Sequence, residues 1–139
     1  MSRENVQILK AAYEALNRGD VAAALGVLEA DAEWAEHSEL PEADTYRGLG
    51  AIRTFLDGYL ESWEEFRQET EEMMDGADKV AVFLHLIARG KGSGIEVEAR
   101  YAHVWTMRDG RGVRVDAYGD RQMALEALHQ TGASSPGRD

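Results

Sequence analysis

His103 is the one strongly polar side chain on the apolar parity of a long alternating run, set between Tyr101 and Trp105. An imidazole held among aromatic side chains can do two kinds of chemistry. It can take or give a proton, because its unperturbed pKa near 6.5 is easily moved by burial, or it can donate a hydrogen bond to charge developing on an oxygen. The other role open to it is that of a structural histidine bonded to a tyrosine or to backbone. A second histidine, His85, lies mid-strand on the parity of Phe83 and Ile87, and is open to two readings, a pocket residue or an interface residue. His37 is separated from it by a helix, and no histidine–carboxylate pair has a local metal-ligand spacing, so no metal is expected. There is no cysteine, which excludes disulfides, thiolate metal sites and a cysteine nucleophile together. Gly90-Lys91-Gly92-Ser93-Gly94 lacks the strand–loop–helix context and the Lys-Ser/Thr ending of a phosphate-binding loop.

The element that positions His103 is a β-strand. From Ile95 the odd residues read Ile, Val, Ala, Tyr, His, Trp, Met, and the even ones Glu, Glu, Arg, Ala, Val, Thr, Arg. At about 3.3 Å per residue a straight strand of this length spans roughly 46 Å, against the roughly 37 Å diameter expected of a domain this size. The strand therefore bends, at a bulge, and a bent sheet has a concave face that can hold something. Asp109-Gly110 with Gly112 turns the chain back into Val113 to Asp120.

The other elements follow from the same patterns. Val6, Leu9, Tyr13 and Leu16 make a helical stripe from Val6 to Arg18, closed by Gly19. Asp20 is placed to cap a second helix running through Val21, Leu25 and Leu28. Ala32 to Glu36 is a short strand with Trp34 on one side and Glu33 on the other. Residues 37 to 48 read as a polar loop, suited to a lid. Ile52, Phe55, Leu56, Tyr59 and Trp63 stripe a third helix from Leu49 to Trp63, with Tyr59 and Trp63 placed to end against core or ligand. Phe66 to Met74 reads as a strand paired through Asp75-Gly76-Ala77-Asp78 with Val80 to Arg89, one face of the hairpin wet. A last helix, Gln122 to His129, docks through Met123, Leu125 and Leu128, and residues 131–139 form a small, polar, flexible tail. The order is that of an α+β fold in one domain, residues 1–130, with the helices covering one face of the sheet.

With 139 residues the chain can bury a full core unaided. No apolar run approaches a membrane span and the N-terminus is amphipathic rather than leader-like, so a cytoplasmic location is the default. A formal charge of −11 opposes binding to nucleic-acid backbones and anionic membranes. Glu96, Glu98 and Arg100 lie on the strand face opposite His103, as cross-strand partners or as part of a dimer surface.

Three stretches carry a family resemblance: Tyr13-Glu14-Ala15-Leu16-Asn17-Arg18-Gly19-Asp20, then Gly48-Leu49-Gly50-Ala51-Ile52-Arg53, and then Ala102 to Gly110 followed by Tyr118-Gly119-Asp120. Together they resemble the SnoaL-like polyketide cyclase branch of the nuclear-transport-factor-2-like superfamily, over about Val6 to Leu128. The resemblance implies a curved antiparallel sheet wrapped around a long helix as a cone-shaped α+β barrel. It also implies an apolar pocket and a homodimer formed through the outer sheet face. Residue by residue, it implies an acid–base role for Glu36, near the carboxylate base of the similar ketosteroid isomerases. It implies the same for His103, near their oxyanion donor, and for Asp120, which is similar to the cyclases' acid/base aspartate. Two departures stand. The isomerases' tyrosine donor falls on Ala12, one residue before Tyr13, a rotation of about 100° on a helix. The similar epoxide hydrolases' arginine and aspartate are replaced by Tyr101 and His103.

These residues describe an enzyme without a cofactor. Glu36 or Asp120, or His103 itself, would abstract a proton next to a carbonyl in a small apolar compound, and His103 would stabilise the enolate; isomerisation, cyclisation and dehydration all begin this way. Tyr13, Trp34, Tyr59, Trp63, His85, Tyr101, Trp105 and Tyr118 are the candidate substrate-binding residues. The alternative is a non-catalytic small-molecule-binding or dimerisation module, and Asp120 is then simply the N-cap of the last helix.

Overall fold

The structure, a computed structural model, describes residues 2–37 and 44–129. The tail expected at 131–139 and residues 38–43 of the expected lid loop lie outside the described residues. Four helices accompany one six-stranded sheet. Helix α1 (Ser2–Asn17) and α2 (Val21–Leu25) precede β1 (Leu28–His37) and β2 (Thr45–Arg47). Helix α3 (Leu49–Glu61) leads into β3 (Trp63–Asp75), β4 (Lys79–Gly90), β5 (Glu96–Arg108) and β6 (Arg111–Tyr118), and α4 (Arg121–His129) ends the described chain.

The strand order is β2-β1-β6-β5-β4-β3. Every neighbouring pair is antiparallel except β1 and β6, which run parallel with Trp34 opposite Val115 and Glu36 opposite Ala117. The sheet is thus mixed rather than wholly antiparallel. Periodicity reports which face a residue takes but not the direction of its partner, so a pairing between strands this far apart in sequence was not legible. The sheet is curved and unclosed, with α3 contacting β1 and β2 at one end of the strand order and β3 at the other. Register shifts leave an extra residue at Glu71 on β3 and at Val113 on β6, whereas β5 pairs with β4 in unbroken register, so the bulge expected on the long strand lies on other strands of the sheet instead.

Several element bounds differ from the sequence pattern. Asp20 does cap α2, accepting from the Ala23 amide at 3.1 Å, but α2 stops at Leu25 and Leu28 opens a longer β1. A short strand, β2, forms within what reads as loop. Trp63 leaves the helical stripe because α3 ends at Glu61, and it starts β3 instead.

The two faces of the sheet are covered differently. Val80, Val82 and Leu84 of β4 and Trp105 and Met107 of β5 point inward, joining Leu9 and Tyr13 of α1 and Ile52 and Leu56 of α3 in the main core. The opposite parity, Ala81, Phe83, Ala102 and Val104, packs under α4 in a second, smaller cluster, so the helices do not all share one face. Helix α4 docks through Ala124, Ala127 and Leu128 rather than through Met123, which is 47% exposed. Small residues let that helix sit close on a sheet face already filled by Phe83. At the β5–β6 hairpin both Asp109 (φ 53°) and Gly110 (φ 78°) take positive φ, the geometry that fits the right-handed twist of a two-residue hairpin turn. Gly112 has a different reason: a Cβ there would lie 2.8 Å from the Trp105 ring and 3.0 Å from Leu28 Cδ2. Its absence lets Trp105 seat beside the cavity.

Candidate functional site

The inward face of the curved sheet and helices α1 to α3 enclose a cavity of about 930 Å³. The volume is that of a small-molecule site, and its walls are mainly aromatic and aliphatic. Two hydrogen-bonded constellations and a set of rim residues give it polarity.

The first is centred on His103, which is 5% exposed and lines the cavity. Tyr13 Oη lies 2.5 Å from His103 Nδ1, and Trp105 Nε1 donates to the same hydroxyl at 2.9 Å. An indole N–H can only donate, so the Tyr13 oxygen accepts from Trp105, and the one acceptor in reach of the phenol's own proton among the described residues is His103 Nδ1. With the phenol proton on that bond, the imidazole proton is on Nε2, which has no hydrogen-bond partner among the described residues. Burial lowers the His103 pKa to about 3, so the ring is neutral at physiological pH. Neutral, with Nδ1 already occupied, the ring presents an N–H and not a free acceptor to the cavity. The tyrosine bond is the structural role a histidine often has, and here that bond fixes the tautomer a donor needs. It also gives Tyr13 a part that the one-residue offset at Ala12 argued against, since both residues line the cavity and the phenol reaches β5.

Glu36 comes to the same cavity from β1. Trp34, two residues earlier on the same face, sets its ring edge-on to His103 with centroids 5.0 Å apart, and its Nε1 donates to Glu36 Oε2 at 2.6 Å. One indole thus bridges the histidine and the carboxylate. Burial pushes the Glu36 carboxyl above the usual range, opposed by the Trp34 hydrogen bond and the charge of His37. Asp120 also lines the cavity, but its Oδ1 accepts from the backbone N–H of Gln122 at 2.6 Å and of Met123 at 3.4 Å, capping α4. Beside it at the rim, His37 stacks on Tyr118 with centroids 4.7 Å apart and bonds Asp116 at 2.8 Å.

The second constellation occupies another part of the wall. Asn17 clamps the backbone of Gln68 from both sides, with Gln68 N–H donating to Asn17 Oδ1 at 2.9 Å and Asn17 Nδ2 donating to Gln68 O at 3.0 Å. The Gln68 amide then donates to the Tyr101 hydroxyl. Gln68, Tyr101 and Tyr59 all line the cavity.

Of the expected binding residues, Tyr13, Trp34, Tyr59, Tyr101, Trp105 and Tyr118 line the cavity and two do not. Trp63 packs edge-on against Tyr59, centroids 6.0 Å apart, with its Nε1 buried and unpartnered among the described residues. His85 is on the outer sheet face, 2.5 Å from Glu98 Oε2 and 3.6 Å from Glu69, because its parity is that of Phe83 and not of Leu84 and Leu86. Gln68, Phe55 and His37 were missed. Gln68 follows Phe66 by two on a strand, and that period-two signal would have placed it inward. Among the described residues no group of three or more His, Cys, Asp or Glu side chains could hold a metal ion, and no helix is long and apolar enough to cross a membrane.

Comparison with known proteins agrees on the architecture. The chain is similar to TerC, in a structure co-crystallised with polyporic acid, at 24% identity and TM-score 0.74 over 90% of this chain and 97% of that one. It is similar to an NTF2-like protein from Burkholderia pseudomallei at 20% identity and TM-score 0.75, over 91% and 98% of the two chains. It is also similar to AclR, a putative hydroxylase from Streptomyces galilaeus, at 17% identity and TM-score 0.73, over 96% and 98%. At these identities the likeness is one of fold. No curated protein matches the sequence. A model of the SnoaL-like domain matches residues 9–115, most of the chain, from within α1 to within β6, and the protein therefore belongs to the SnoaL-like domain family.

Proposed function

We propose that the protein is a cofactor-free acid–base enzyme acting on a small apolar carbonyl compound, of the isomerase, cyclase or dehydratase type. The observation that carries this reading is the convergence of a carboxylate and an oriented, neutral imidazole on one largely apolar cavity, joined through Trp34. Glu36 is the base. Its raised pKa makes it a stronger proton acceptor than an ordinary carboxylate, and Trp34 holds it in place. It removes a proton from the carbon next to the carbonyl; the bonding electrons move into an enolate, whose oxygen receives the His103 Nε2–H. A neutral imidazole suits this role, because it polarises the carbonyl without surrendering a proton prematurely. Returning the proton at another carbon is isomerisation, attack of the enolate on a second carbonyl is cyclisation, and loss of a neighbouring hydroxyl as water is dehydration. Asp120, held by two backbone amides, is the second acid–base group at the rim. The outer face of β3 to β5, which α4 leaves uncovered around His85 and Arg100, is the proposed homodimer surface.

The test uses para-substituted phenols of graded acidity, which mimic an enolate, on the Glu36→Gln protein, where the base is frozen in its neutral, proton-loaded form. Affinity should rise with phenol acidity, and that dependence should vanish when His103→Phe is added. Affinity indifferent to both acidity and His103 would instead identify an apolar binding module.

A further inference from the structure

The charges of this chain are sorted by place. Glu36 and Asp120 both line the cavity, and among the described residues no lysine or arginine does. Basic side chains are engaged outside it instead: Arg89 with Glu65, Arg100 with Glu71, Arg111 with Glu29, and Arg47 and Arg114 with Glu33. Even Arg121, next in sequence to Asp120, is engaged elsewhere. Its guanidinium donates to Glu72 at 2.8 Å and lies 4.0 Å over the ring of Phe83, in the cluster that α4 covers.

Asp120 stands at the mouth. It is exposed, and Met123 beside it, 47% exposed, lines the same opening. Its Oδ1 is taken by the backbone N–H groups of Gln122 and Met123, whereas its Oδ2 has no partner among the described residues. Asp116, four residues earlier, is the contrast: its charge is met by Arg114 at 3.0 Å and by His37 at 2.8 Å. Capping uses one side-chain oxygen and needs no net charge, since asparagine and serine cap about as well as aspartate. The negative charge at Asp120 is therefore more than the cap requires. His103 lies opposite Ala117 across β5 and β6, and the three residues of chain from Ala117 to Asp120 reach at most about 11 Å. One ring with a short side arm is of the size to span imidazole and carboxylate, and Tyr118, in the wall near Asp120, offers an aromatic ring to a cation.

We infer that the cavity takes an apolar carbonyl compound that bears a basic amine, with its carbonyl at His103 and its ammonium group on Asp120 at the mouth. Asp120 is the specificity-determining residue, and it rejects a ligand with a carboxylate in the amine's place. This rests on the acid–base reading above for the placing of the carbonyl and adds the charge of the substrate.

The test uses three aryl ketones that differ in one arm, 4-(aminomethyl)acetophenone, 4-ethylacetophenone and (4-acetylphenyl)acetate, which are cationic, neutral and anionic at pH 7. Binding is followed by quenching of the tryptophan fluorescence or by calorimetry, at low salt and at about 0.5 M salt. In the wild type the amine-to-ethyl affinity ratio should exceed that in Asp120→Asn by roughly three- to fivefold at low salt, the size of one exposed ion pair, and the excess should shrink at high salt. The acetate-to-ethyl ratio should rise in Asp120→Asn. Asparagine keeps the cap, and Asp120→Ser repeats the comparison with a second capping residue. Glu96→Gln, on the outer sheet face two residues before Glu98, controls for the charge of the whole chain and should leave both ratios unchanged. Retained binding of the ethyl ketone shows that a variant keeps its site; should both cap variants lose it, the salt dependence of the wild type and of Glu96→Gln decides. Equal ratios in the wild type and the cap variants overturn the ammonium seat and leave the acid–base reading intact, as does a ratio indifferent to salt or one that falls as far in Glu96→Gln. Failure of the wild type to bind any of the three ketones overturns both.

Discussion

Replacing His103 by glutamine should flatten the pH dependence of stability between pH 8 and pH 5. Burial lowers the folded His103 pKa to about 3, whereas the unfolded side chain titrates near 6.5. Below 6.5 the unfolded state takes up a proton that the folded state refuses, so the stability this site contributes is complete above about pH 7.5 and is lost as pH falls from 6.5 toward 3. At pH 5 the unfolded imidazole is favoured by about 2 kcal/mol, from 1.36 kcal/mol per pH unit over the one and a half units below 6.5. With a urea m-value of about 2 kcal/mol per M, the wild-type midpoint should drop by about 1 M from this site alone. Glu36 acts in the opposite sense: its folded pKa is raised, so it stabilises as pH falls. The other three histidines and Glu36 are common to both proteins, so the wild-type-minus-variant difference isolates His103. The assay is urea unfolding at pH 8 and pH 5 for both proteins, comparing the change in midpoint and not its absolute value. Proton NMR of the imidazole gives the independent reading, with no titration of the His103 ring above pH 5 and a single Nε2–H tautomer. A variant with the same pH slope as the wild type, or a His103 ring titrating near 6.5, would refute the buried neutral donor and with it the oxyanion role.

Three further outcomes follow from the same geometry. Tyr13→Phe removes the hydroxyl that both Trp105 and His103 use, leaving a buried donor and a buried acceptor unpaired, and should cost about 1 to 3 kcal/mol in urea unfolding; a loss below about 0.5 kcal/mol would mean that water replaces it. Gly112→Ala should destabilise by roughly 1 to 3 kcal/mol, because its methyl meets the Trp105 ring at 2.8 Å with Leu28 close behind, and cavity ligands should bind more weakly as the indole is displaced. Sedimentation velocity should give a species of twice the 15.4 kDa chain mass, and reversing the charges at Glu98 and Arg100 on the outer face should return it to the monomer; a wild-type monomer at all concentrations would remove the dimer proposal.

Local pattern carried the identity of nearly every element. The alternation from Glu96 to Arg108 marked β5 and put His103 inward with Tyr101 and Trp105, and the strand-length argument anticipated a curved sheet, although the bulges lie on β3 and β6 and not on β5. Asp20 and Asp120 as caps, and the Asp109-Gly110 turn, were legible because caps and tight turns depend on a few adjacent residues. Where the pattern misled, two elements competed for one residue. Trp63 fits the stripe of α3 but is taken by β3, and Met123 fits the stripe of α4 although the smaller Ala124 and Ala127 make the contact.

The sequence by itself determined which residues are apolar on one face of which element, the α+β order, and the presence of an inward histidine, because side-chain alternation and helical spacing are properties of neighbouring residues. Only the tertiary structure decided that β1 runs parallel to β6, which brings Glu36 to the cavity that His103 lines. It alone decided that the Tyr13 hydroxyl, 90 residues away in sequence, meets His103 Nδ1 in a buried wall of the cavity, where burial keeps the imidazole neutral. Pairings at such separations are set by how whole elements pack, and no local pattern records them.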